Sequence, residues 1–280
     1  MNINWYPGHM KKTKESIQKN MTLVDIIYEL LDARIPISSK NPDIDKLIGN
    51  RKRIVILNKS DLANPAANIK WQEYYSKLGI NSILVDAVNN VDINDIYKLS
   101  SKLMVEKFNA LEKKGIRNRS IRVMIVGIPN VGKSTLINSL SGKKGAKTGN
   151  KPGVTKTNQW IKLKGDLELL DTPGILWPKF EDESVGLNLA FTGAIKDEIL
   201  DTETLAFKLI EKLMIISPEL LESRYNIKLN ESEPVEVMES IARNRGCLLK
   251  GQEIDFNKVS NLIIDDFRKG RIGRITLELP

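Results

Sequence analysis

The chain has 280 residues, 41% hydrophobic and 28% charged, which is the composition of an ordinary globular protein. It has no apolar run as long as a membrane span, no signal-peptide pattern near its start and one cysteine, Cys247, so we expect a cytoplasmic protein with no disulfide framework and no membrane partner. The net charge of +8 favours a polyanionic partner, and a solvated basic surface is the alternative.

Short apolar, β-branched runs predict strands along the first part of the chain. They lie at residues 24–31, 53–57, 81–85, 122–126, 160–163 and 167–170. Helical patterns lie between several of them, as at residues 71–78 and 92–111. Strands that alternate with helices predict a mostly parallel sheet that is covered on both faces.

The charged segment at residues 112–120 has no apolar periodicity, and we interpret it as a connector that joins two halves of one domain. After Pro178 the pattern becomes helical, and an extended tail is predicted at residues 271–279. The predicted helices of this part lie at residues 187–199, 202–215, 218–225, 235–243 and 256–268. The sequence therefore predicts an α/β domain at residues 1–178 and a small helical domain at residues 179–280.

Residues 127–134 match the phosphate-loop pattern GxxxxGK[ST], with a predicted strand before them and a helical pattern after them. In such a loop, backbone N–H groups and the positive end of the helix bind phosphates. Lys133 would reach the β- and γ-phosphates, and the Ser134 hydroxyl would bind Mg²⁺. The predicted nucleotide-binding residues of this loop are Asn130, Val131, Gly132, Lys133, Ser134 and Thr135.

Two further features predict the remaining ligands of Mg²⁺ and the γ-phosphate. Asp171 begins the sequence Asp-Thr-Pro-Gly at the end of a predicted strand, where a carboxylate can hold Mg²⁺ and the N–H of Gly174 can meet the γ-phosphate. Thr155 lies between the phosphate loop and Asp171, and we predict that it closes on Mg²⁺ as a switch threonine. By itself, Asp-Thr-Pro-Gly is also a common turn sequence.

A guanine-binding motif, Asn58-Lys59-Ser60-Asp61, follows the predicted strand at residues 53–57. The Asp61 carboxylate can accept two hydrogen bonds from guanine, a donor pair that adenine lacks, so it would select GTP over ATP. Asn58 would join this loop to the phosphate loop, the Lys59 stem would pack over the base, and the Ala87 N–H would bind guanine O6. An ordinary capped loop would be the better interpretation if the motif stood alone. In an ordinary GTPase this motif follows the phosphate loop, so its early position indicates a circular permutation.

With these motifs in this order, the chain resembles the circularly permuted GTPases, and most closely the ribosome biogenesis GTPase A family. The resemblance rests on the guanine-binding motif and on residues 5–10 (WYPGHM), 32–36 (DARIP) and 170–180 (LDTPGILWPKF). It implies a Ras-like sheet with permuted connectivity and a helical domain that docks on 23S rRNA. It also implies a slow GTPase that binds GTP or GDP with Mg²⁺, is stimulated by the large (50S) ribosomal subunit and promotes its late maturation. We expect a monomer.

The catalytic group is not evident from the motifs alone. Ras-type enzymes orient the attacking water with a Gln after the Asp-x-x-Gly motif, where this chain has Ile175 and Leu176. The resemblance implies that His9, the one histidine of the chain, is catalytic, although a lone His beside Pro-Gly is more often a turn residue. The phosphate loop is also similar to that of cation-activated GTPases, in which an Asn at the position of Asn130 helps to hold K⁺ against the phosphates; shaping of the loop is the alternative.

Basic residues near both ends of the chain predict contacts with RNA phosphates. Residues 1–178 carry 29 Lys and Arg against 16 Asp and Glu, a net charge of +13, whereas residues 179–280 carry a net charge of −5. The RNA-contact candidates are Lys11, Lys12, Lys14, Arg268, Lys269, Arg271 and Arg274. Two rival functions stay open: a GTP-dependent RNA-binding scaffold with negligible turnover, and a GTPase acting in tRNA modification. The second is disfavoured because no cofactor-binding domain is evident.

Overall fold

The computed structural model describes residues 18–116, 119–142, 160–170, 182–195, 201–230 and 233–280. Within these ranges, six strands form one sheet in the order β3-β2-β1-β4-β6-β5. All neighbouring strands are parallel except β5 and β6, which are antiparallel. The strands are β1 (Ile26–Asp32), β2 (Lys52–Asn58), β3 (Asn81–Val85), β4 (Ile121–Val126), β5 (Trp160–Lys162) and β6 (Leu167–Leu170). The predicted mostly parallel sheet is confirmed.

Helices flank the strands and dominate the later part of the chain. In the first part they are α1 (Ile44–Ile48), α2 (Pro65–Lys77), α3 (Ile93–Glu112) and α4 (Lys133–Ser141). In the later part they are α5 (Glu183–Phe191), α6 (Thr202–Ile216), α7 (Pro218–Tyr225), α8 (Pro234–Arg245) and α9 (Phe256–Arg268). None of the helices within the described ranges is both long and apolar enough to cross a bilayer.

The strand order reveals the circular permutation. Counted from β4, which precedes the phosphate loop, the sheet runs 2-3-1-4-5-6 from its β5 edge to its β3 edge. This is a doubly wound order in which the chain turns away from the first strand in both directions. The chain nevertheless begins the sheet at β1 and reaches β4 only through α3, which ends at Glu112, where the predicted connector begins. The predicted permuted connectivity is therefore confirmed.

One predicted helix is too long. The spacing predicts a helix over residues 187–199, but α5 ends at Phe191. Gly193 has a φ of +76°, which is a left-handed conformation, and the N–H of Ala194 donates to the Leu189 carbonyl at 2.9 Å. A glycine in this conformation commonly ends a helix because it satisfies the last carbonyls by a reversed turn. Residues 196–199 lie outside the described residues.

The two faces of the sheet are covered by different helices because side chains alternate along each strand. On β1, Ile27 packs in a cluster with α1, and Leu31 packs in another with α2. Ile26, Tyr28 and Leu30 face the other side, where one continuous apolar core extends from the sheet into helices α5 to α9. The predicted domain boundary near residue 178 lies outside the described residues, and the division into two domains stays a prediction.

The C-terminal tail, residues 271–280, runs from the helical part back to the α/β part. The N–H of Leu277 donates to the carbonyl of Arg34 at 2.8 Å, directly after β1. The indole N–H of Trp71, in α2, donates to the carbonyl of Glu278 at 3.1 Å. The tail therefore lies across the loops that follow β1 and β2. It contains neither helix nor strand, and it bends at residues 271, 272, 274 and 277.

The carboxylate of Glu278 joins three segments of the fold. It accepts hydrogen bonds from the backbone N–H groups of Ile37, at 2.7 Å, and Ser38, at 3.0 and 3.1 Å, and from the Ser38 hydroxyl. The side-chain amide of Asn188, in α5, donates to the same carboxylate at 2.8 Å. Lys212, in α6, donates to the other end of that amide at 2.8 Å. This part-buried polar network links the tail to both parts of the molecule.

Candidate nucleotide-binding site

The candidate site lies at the carboxyl ends of the parallel strands. Strands β2, β3 and β4 end here, and ligands of doubly wound sheets bind beside such carboxyl ends. Three loops begin there: the guanine-binding loop after β2 (residues 58–61), the loop after β3 (residues 86–89) and the phosphate loop after β4 (residues 127–134). Motifs that are far apart in the sequence are thereby neighbours in space.

The phosphate loop requires glycine at two positions. Gly132 has a φ of +100°, and a Cβ there would lie 2.3 Å from the side-chain amide nitrogen of Asn58. A Cβ on Gly127 would lie 2.7 Å from the carbonyl oxygen of Leu30. Both distances are shorter than any van der Waals contact, so a side chain at either position would push the loop away from its neighbours. The glycines of the motif thus allow the loop to pack closely against β1 and β2.

The side chain of Lys133 points into the phosphate loop. Its ammonium group donates to the carbonyls of Gly127 at 3.0 Å and Ile128 at 2.9 Å. Lys133 is also the first residue of α4, and Ser134 and Thr135 follow it in the first helical turn. The N–H groups of a first turn have no partners within the helix, and together with the helix dipole they favour an anion. The arrangement is suited to a phosphate chain with Mg²⁺ near the Ser134 hydroxyl.

Asn58 connects the guanine-binding loop to the phosphate loop. Its amide nitrogen donates to the Val131 carbonyl at 2.8 Å, which is the connection predicted from the sequence. Its amide oxygen accepts a longer bond, 3.3 Å, from the N–H of Ala87. That N–H is the predicted donor to guanine O6, and this role stays a prediction. Because Asn58 is buried and uses both ends of its amide, it holds three loops together.

Lys59 extends from the guanine-binding loop to the phosphate loop. It has a left-handed backbone, with a φ of +60°. Its ammonium group donates to the Asn130 carbonyl at 3.0 Å and forms an ion pair with Asp32 at 2.9 Å. Asp32 belongs to the segment 32–36 that carries the resemblance, but no role was predicted for it from the sequence. The available signal was its position as the last residue of a central strand, at the edge where ligands bind.

Asp61, the predicted guanine-reading residue, lies at the surface of the site. The protein around it raises the pKa of its carboxyl above the ordinary value by partial burial, and the negative charge of Asp86 adds to this shift. Asp86 itself accepts bonds from the backbone N–H groups of Val88 and Asn89, both at 3.0 Å. Asp86 therefore shapes the turn after β3.

Asn130 links the phosphate loop to the helical part of the molecule. Its amide nitrogen donates to the carbonyl of Gly193, in the turn after α5, at 2.8 Å. The amide oxygen of Asn130 is the atom that would coordinate K⁺. Several predicted site residues lie outside the described residues: His9, Lys11, Lys12, Lys14, Thr155, Asp171 and Gly174. Their roles stay predictions.

Two of the predicted RNA-contact residues stabilise the protein itself. Arg268 donates to the carbonyl of Ala190, at the end of α5, at 2.9 Å. Arg274 donates to the carbonyl of Ser60, within the guanine-binding loop, at 2.9 Å. Lost side-chain packing and lost hydrogen bonds would therefore accompany any loss of RNA binding when these residues are replaced.

The other two candidates near the C-terminus lie closer to solvent. Lys269 forms an ion pair with Asp265 at 2.8 Å, and Arg271 forms ion pairs with Asp265 at 3.0 Å and with the buried Asp266 at 3.1 Å. The two ion pairs with Asp265 are exposed to solvent, and such pairs contribute little to stability. RNA binding by Arg268, Lys269, Arg271 and Arg274 stays a prediction.

Comparison with known proteins agrees with this geometry. Residues 122–232 match the family described as 50S ribosome-binding GTPase. The chain is 49% identical over 281 residues to ribosome biogenesis GTPase A of Priestia megaterium, with 100% of this chain and 98% of that protein covered. It is 32% identical over 281 residues to the protein of the same name from Thermotoga maritima, with 99% of this chain and 95% of that protein covered.

Two solved structures have a similar fold. A GDP-bound structure of YlqF has a TM-score of 0.66 and 28% sequence identity, and covers 95% of this chain and 99% of its own. The GNP-bound structure of YlqF from T. maritima has a TM-score of 0.66 and 29% identity, and covers 96% of this chain and 98% of its own. The similarity therefore covers 95–96% of this chain, both for the GDP-bound and for the GNP-bound structure.

Proposed function

The chain belongs to the ribosome biogenesis GTPase A family, and from this membership we propose that it hydrolyses GTP on the precursor of the large (50S) ribosomal subunit and promotes its late maturation. One observation carries the proposal: the guanine-binding loop and the phosphate loop meet at the carboxyl edge of the permuted sheet, joined by Asn58. Two loops in this arrangement can bind the two ends of one guanine nucleotide.

Each part of the site has a role in the proposed reaction. Asp61 reads the base, Lys133 binds the β- and γ-phosphates, and Ser134 holds Mg²⁺ together with Thr155 and Asp171. Mg²⁺, when bound, neutralises negative charge on the phosphate oxygens. The loop at Gly132 and the first turn of α4 fit the phosphates, because the backbone comes close where a side chain would collide and the N–H groups of a first helical turn bind anions. The Ser134 hydroxyl, at the start of the same helix, supplies an oxygen ligand of the kind that Mg²⁺ prefers.

The remaining roles follow the resemblance. His9 positions the attacking water in place of the missing Gln, and the Asn130 amide oxygen helps to hold K⁺ near the phosphates. The basic first part of the chain and the basic residues near the C-terminus contact 23S rRNA through its phosphates. GTP binding and hydrolysis change how the helical part sits on the α/β part, because the segment after Gly174 leads into it. The bond from Asn130 to Gly193 supports this coupling.

The proposed function is tested by GTP hydrolysis in the presence of different RNA partners. Phosphate release is measured with purified large subunits, small subunits or tRNA, each at saturation. We expect strong stimulation by large subunits alone. GTP-dependent binding to large subunits without added turnover would favour the scaffold. Stimulation by tRNA alone would favour a role in tRNA modification.

Replacement of Asp61 by asparagine tests the guanine assignment. The asparagine amide presents a donor where the guanine N1–H and N2–H₂ need an acceptor, so we expect GDP to bind about 10- to 100-fold more weakly. Xanthine has a carbonyl in place of the guanine amino group, so xanthosine diphosphate should gain affinity in Asp61→Asn. The measurement is the dissociation constant of GDP, XDP and ADP for both proteins.

Asp45→Asn is the matched control for this prediction. Asp45 is an exposed carboxylate of α1 that pairs with Lys40 and Arg53, away from the loops of the site. The control should bind the three nucleotides like the parent protein. If the parent protein binds ADP as tightly as GDP, or if Asp61→Asn gains nothing for XDP, Asp61 does not read the base.

A further inference from the structure

Asp32 holds the ammonium group of Lys59 at the end of the central strand β1. One carboxylate oxygen lies 2.9 Å from the Lys59 ammonium and 2.8 Å from a terminal nitrogen of Arg34. The other oxygen accepts bonds from the Arg34 backbone N–H at 3.0 Å and from its Nε at 2.9 Å. The side chain of Asp32 is only 2% exposed. This carboxylate therefore has a fixed orientation and two cationic partners.

The charged state of Asp32 depends on these partners. Burial acts to raise the pKa of Asp32, but the charges of Arg34 and Lys59 outweigh it and hold that pKa well below the usual range. A buried charge that loses a partner is strongly unfavourable, so the three groups stabilise one arrangement. At neutral pH the negative charge beside Lys59 is permanent.

Lys59 is fixed at both ends as a result. Its backbone is held in the left-handed conformation, and its ammonium group is held by Asp32 and by the Asn130 carbonyl of the phosphate loop. A lysine stem has four carbons and many rotamers, and ordering it normally costs conformational entropy when a ligand binds. Here the stem is ordered across the site by the protein itself. Such preorganisation increases affinity because less freedom is lost on binding.

We propose that Asp32 is a positioning residue of the guanine site, which holds Lys59 so that its stem lies in place for the base before the nucleotide arrives. This inference rests on the assignment of Lys59 to the guanine site. Asp32 does not contact the nucleotide itself; it acts through Lys59. The chemical reason is that a carboxylate can fix an ammonium group by both charge and hydrogen bonding, whereas a neutral amide can do neither as strongly.

Arg34 extends this arrangement to the helical part of the molecule. Its side chain is also only 2% exposed, and its guanidinium group lies over the ring of Phe267, in α9, 5.5 Å from the ring centre. A terminal nitrogen of Arg34 lies 3.4 Å from the carbonyl of Arg268, at the end of α9. The partner that orients Asp32 is therefore itself held by α9. The position of α9 and the position of the Lys59 side chain are therefore linked through the carboxylate of Asp32.

A double-mutant cycle tests whether Asp32 acts through Lys59. The four proteins are the parent, Asp32→Asn, Lys59→Met and the double variant, and methionine keeps a stem of similar length without the ammonium group. The dissociation constant of GDP is measured for each, with thermal melting as the check of folding. We expect Asp32→Asn to weaken GDP binding about tenfold in the parent and to have little further effect when Lys59 is methionine.

A merely structural role of Asp32 predicts a different result. Asp32→Asn would then weaken GDP binding by the same factor in both backgrounds, or would lower the melting temperature without changing GDP affinity. Either outcome would overturn the proposal. If Asp32→Asn does not fold, Arg34→Lys is taken through the same cycle, because lysine keeps the positive charge but loses one of the side-chain bonds to Asp32.

Asp25→Asn is the matched control in the same fold. Asp25 lies just before β1, at the opposite edge of the sheet, with its carboxylate 3% exposed and paired with Lys107 at 2.5 Å. This variant should lower the melting temperature and leave GDP affinity unchanged. Failure of the guanine assignment would be distinguishable, because the parent protein would then show no preference for GDP over ADP.

Discussion

Lys133→Ala is expected to abolish GTP hydrolysis, with a loss of about 10²- to 10³-fold or more in single-turnover rate. The ammonium group of Lys133 lies inside the phosphate loop, and its side chain is the one cation that the motif directs at the β- and γ-phosphates. Without it, the negative charge that develops on the transferred phosphoryl group loses its nearest stabilising charge. Single-turnover phosphate release at saturating GTP measures this loss, with large subunits present.

Lys77→Ala is the matched control for Lys133→Ala. Lys77 is an exposed residue of the last turn of α2, and its replacement makes the same chemical change away from the site. The control should hydrolyse GTP at the parent rate. Ser134→Ala should also abolish hydrolysis, because it removes the hydroxyl that is proposed to bind Mg²⁺. A Lys133→Ala protein that binds GTP and hydrolyses it normally would exclude residues 127–134 as the phosphate site.

Removal of residues 275–280 is expected to destabilise the protein by about 3–6 kcal/mol. The deletion exposes the sites of Ile275 and Leu277, and burial of one such side chain stabilises by about 1.5–3 kcal/mol. It also leaves the Trp71 indole N–H and the Ser38 N–H without their partners in the tail. Since domains are commonly stable by about 5–15 kcal/mol, this loss is a large share of the total. Urea denaturation at constant temperature measures it.

Two single replacements in the tail give a matched comparison. Leu277 is 7% exposed and Leu279 is 59% exposed, although both are leucines of the same tail. Leu277→Ala should cost about 2–3 kcal/mol, whereas Leu279→Ala should cost less than about 0.5 kcal/mol. Equal effects of the two replacements, or an unchanged midpoint after the deletion, would show that the tail contributes little to the folded state.

The sheet and most helices could be predicted from the sequence because their signals are local. Alternating or continuous apolar runs predicted all six strands, and the predicted ends differ from the observed ends by at most a few residues. Helix α1 was missed because its five residues are too short to show a helical period. The predicted extension of α5 failed at Gly193, since apolar spacing carries no information about a left-handed turn.

In the candidate site, too, residues with a local sequence signal were predicted and residues without one were missed. The residues of short motifs, such as Asn58 and Lys133, were found because a fixed spacing encodes their geometry. The roles of Asp32 and Glu278 were not predicted, because they depend on contacts with distant parts of the chain, such as those with Lys59 and Ser38. Arg34 and Arg268 are 234 residues apart, and Ser38 and Glu278 are 240 residues apart. Contacts across such separations have no local sequence signal.

The return of the C-terminal tail also determines when the fold can be completed during synthesis. Glu278, the partner of Ser38, is synthesised 240 residues after it. At a translation rate of roughly 5–20 residues per second, the delay between the two residues is about 12–48 s. A nascent chain can therefore form its strands early but cannot make this contact with the loop after β1 until Glu278 has been synthesised. Prematurely terminated chains would lack this contact, so quality control by proteases should distinguish them from finished molecules. An affinity tag fused directly after Pro280 would lie beside this contact, whereas a tag preceded by a linker would not.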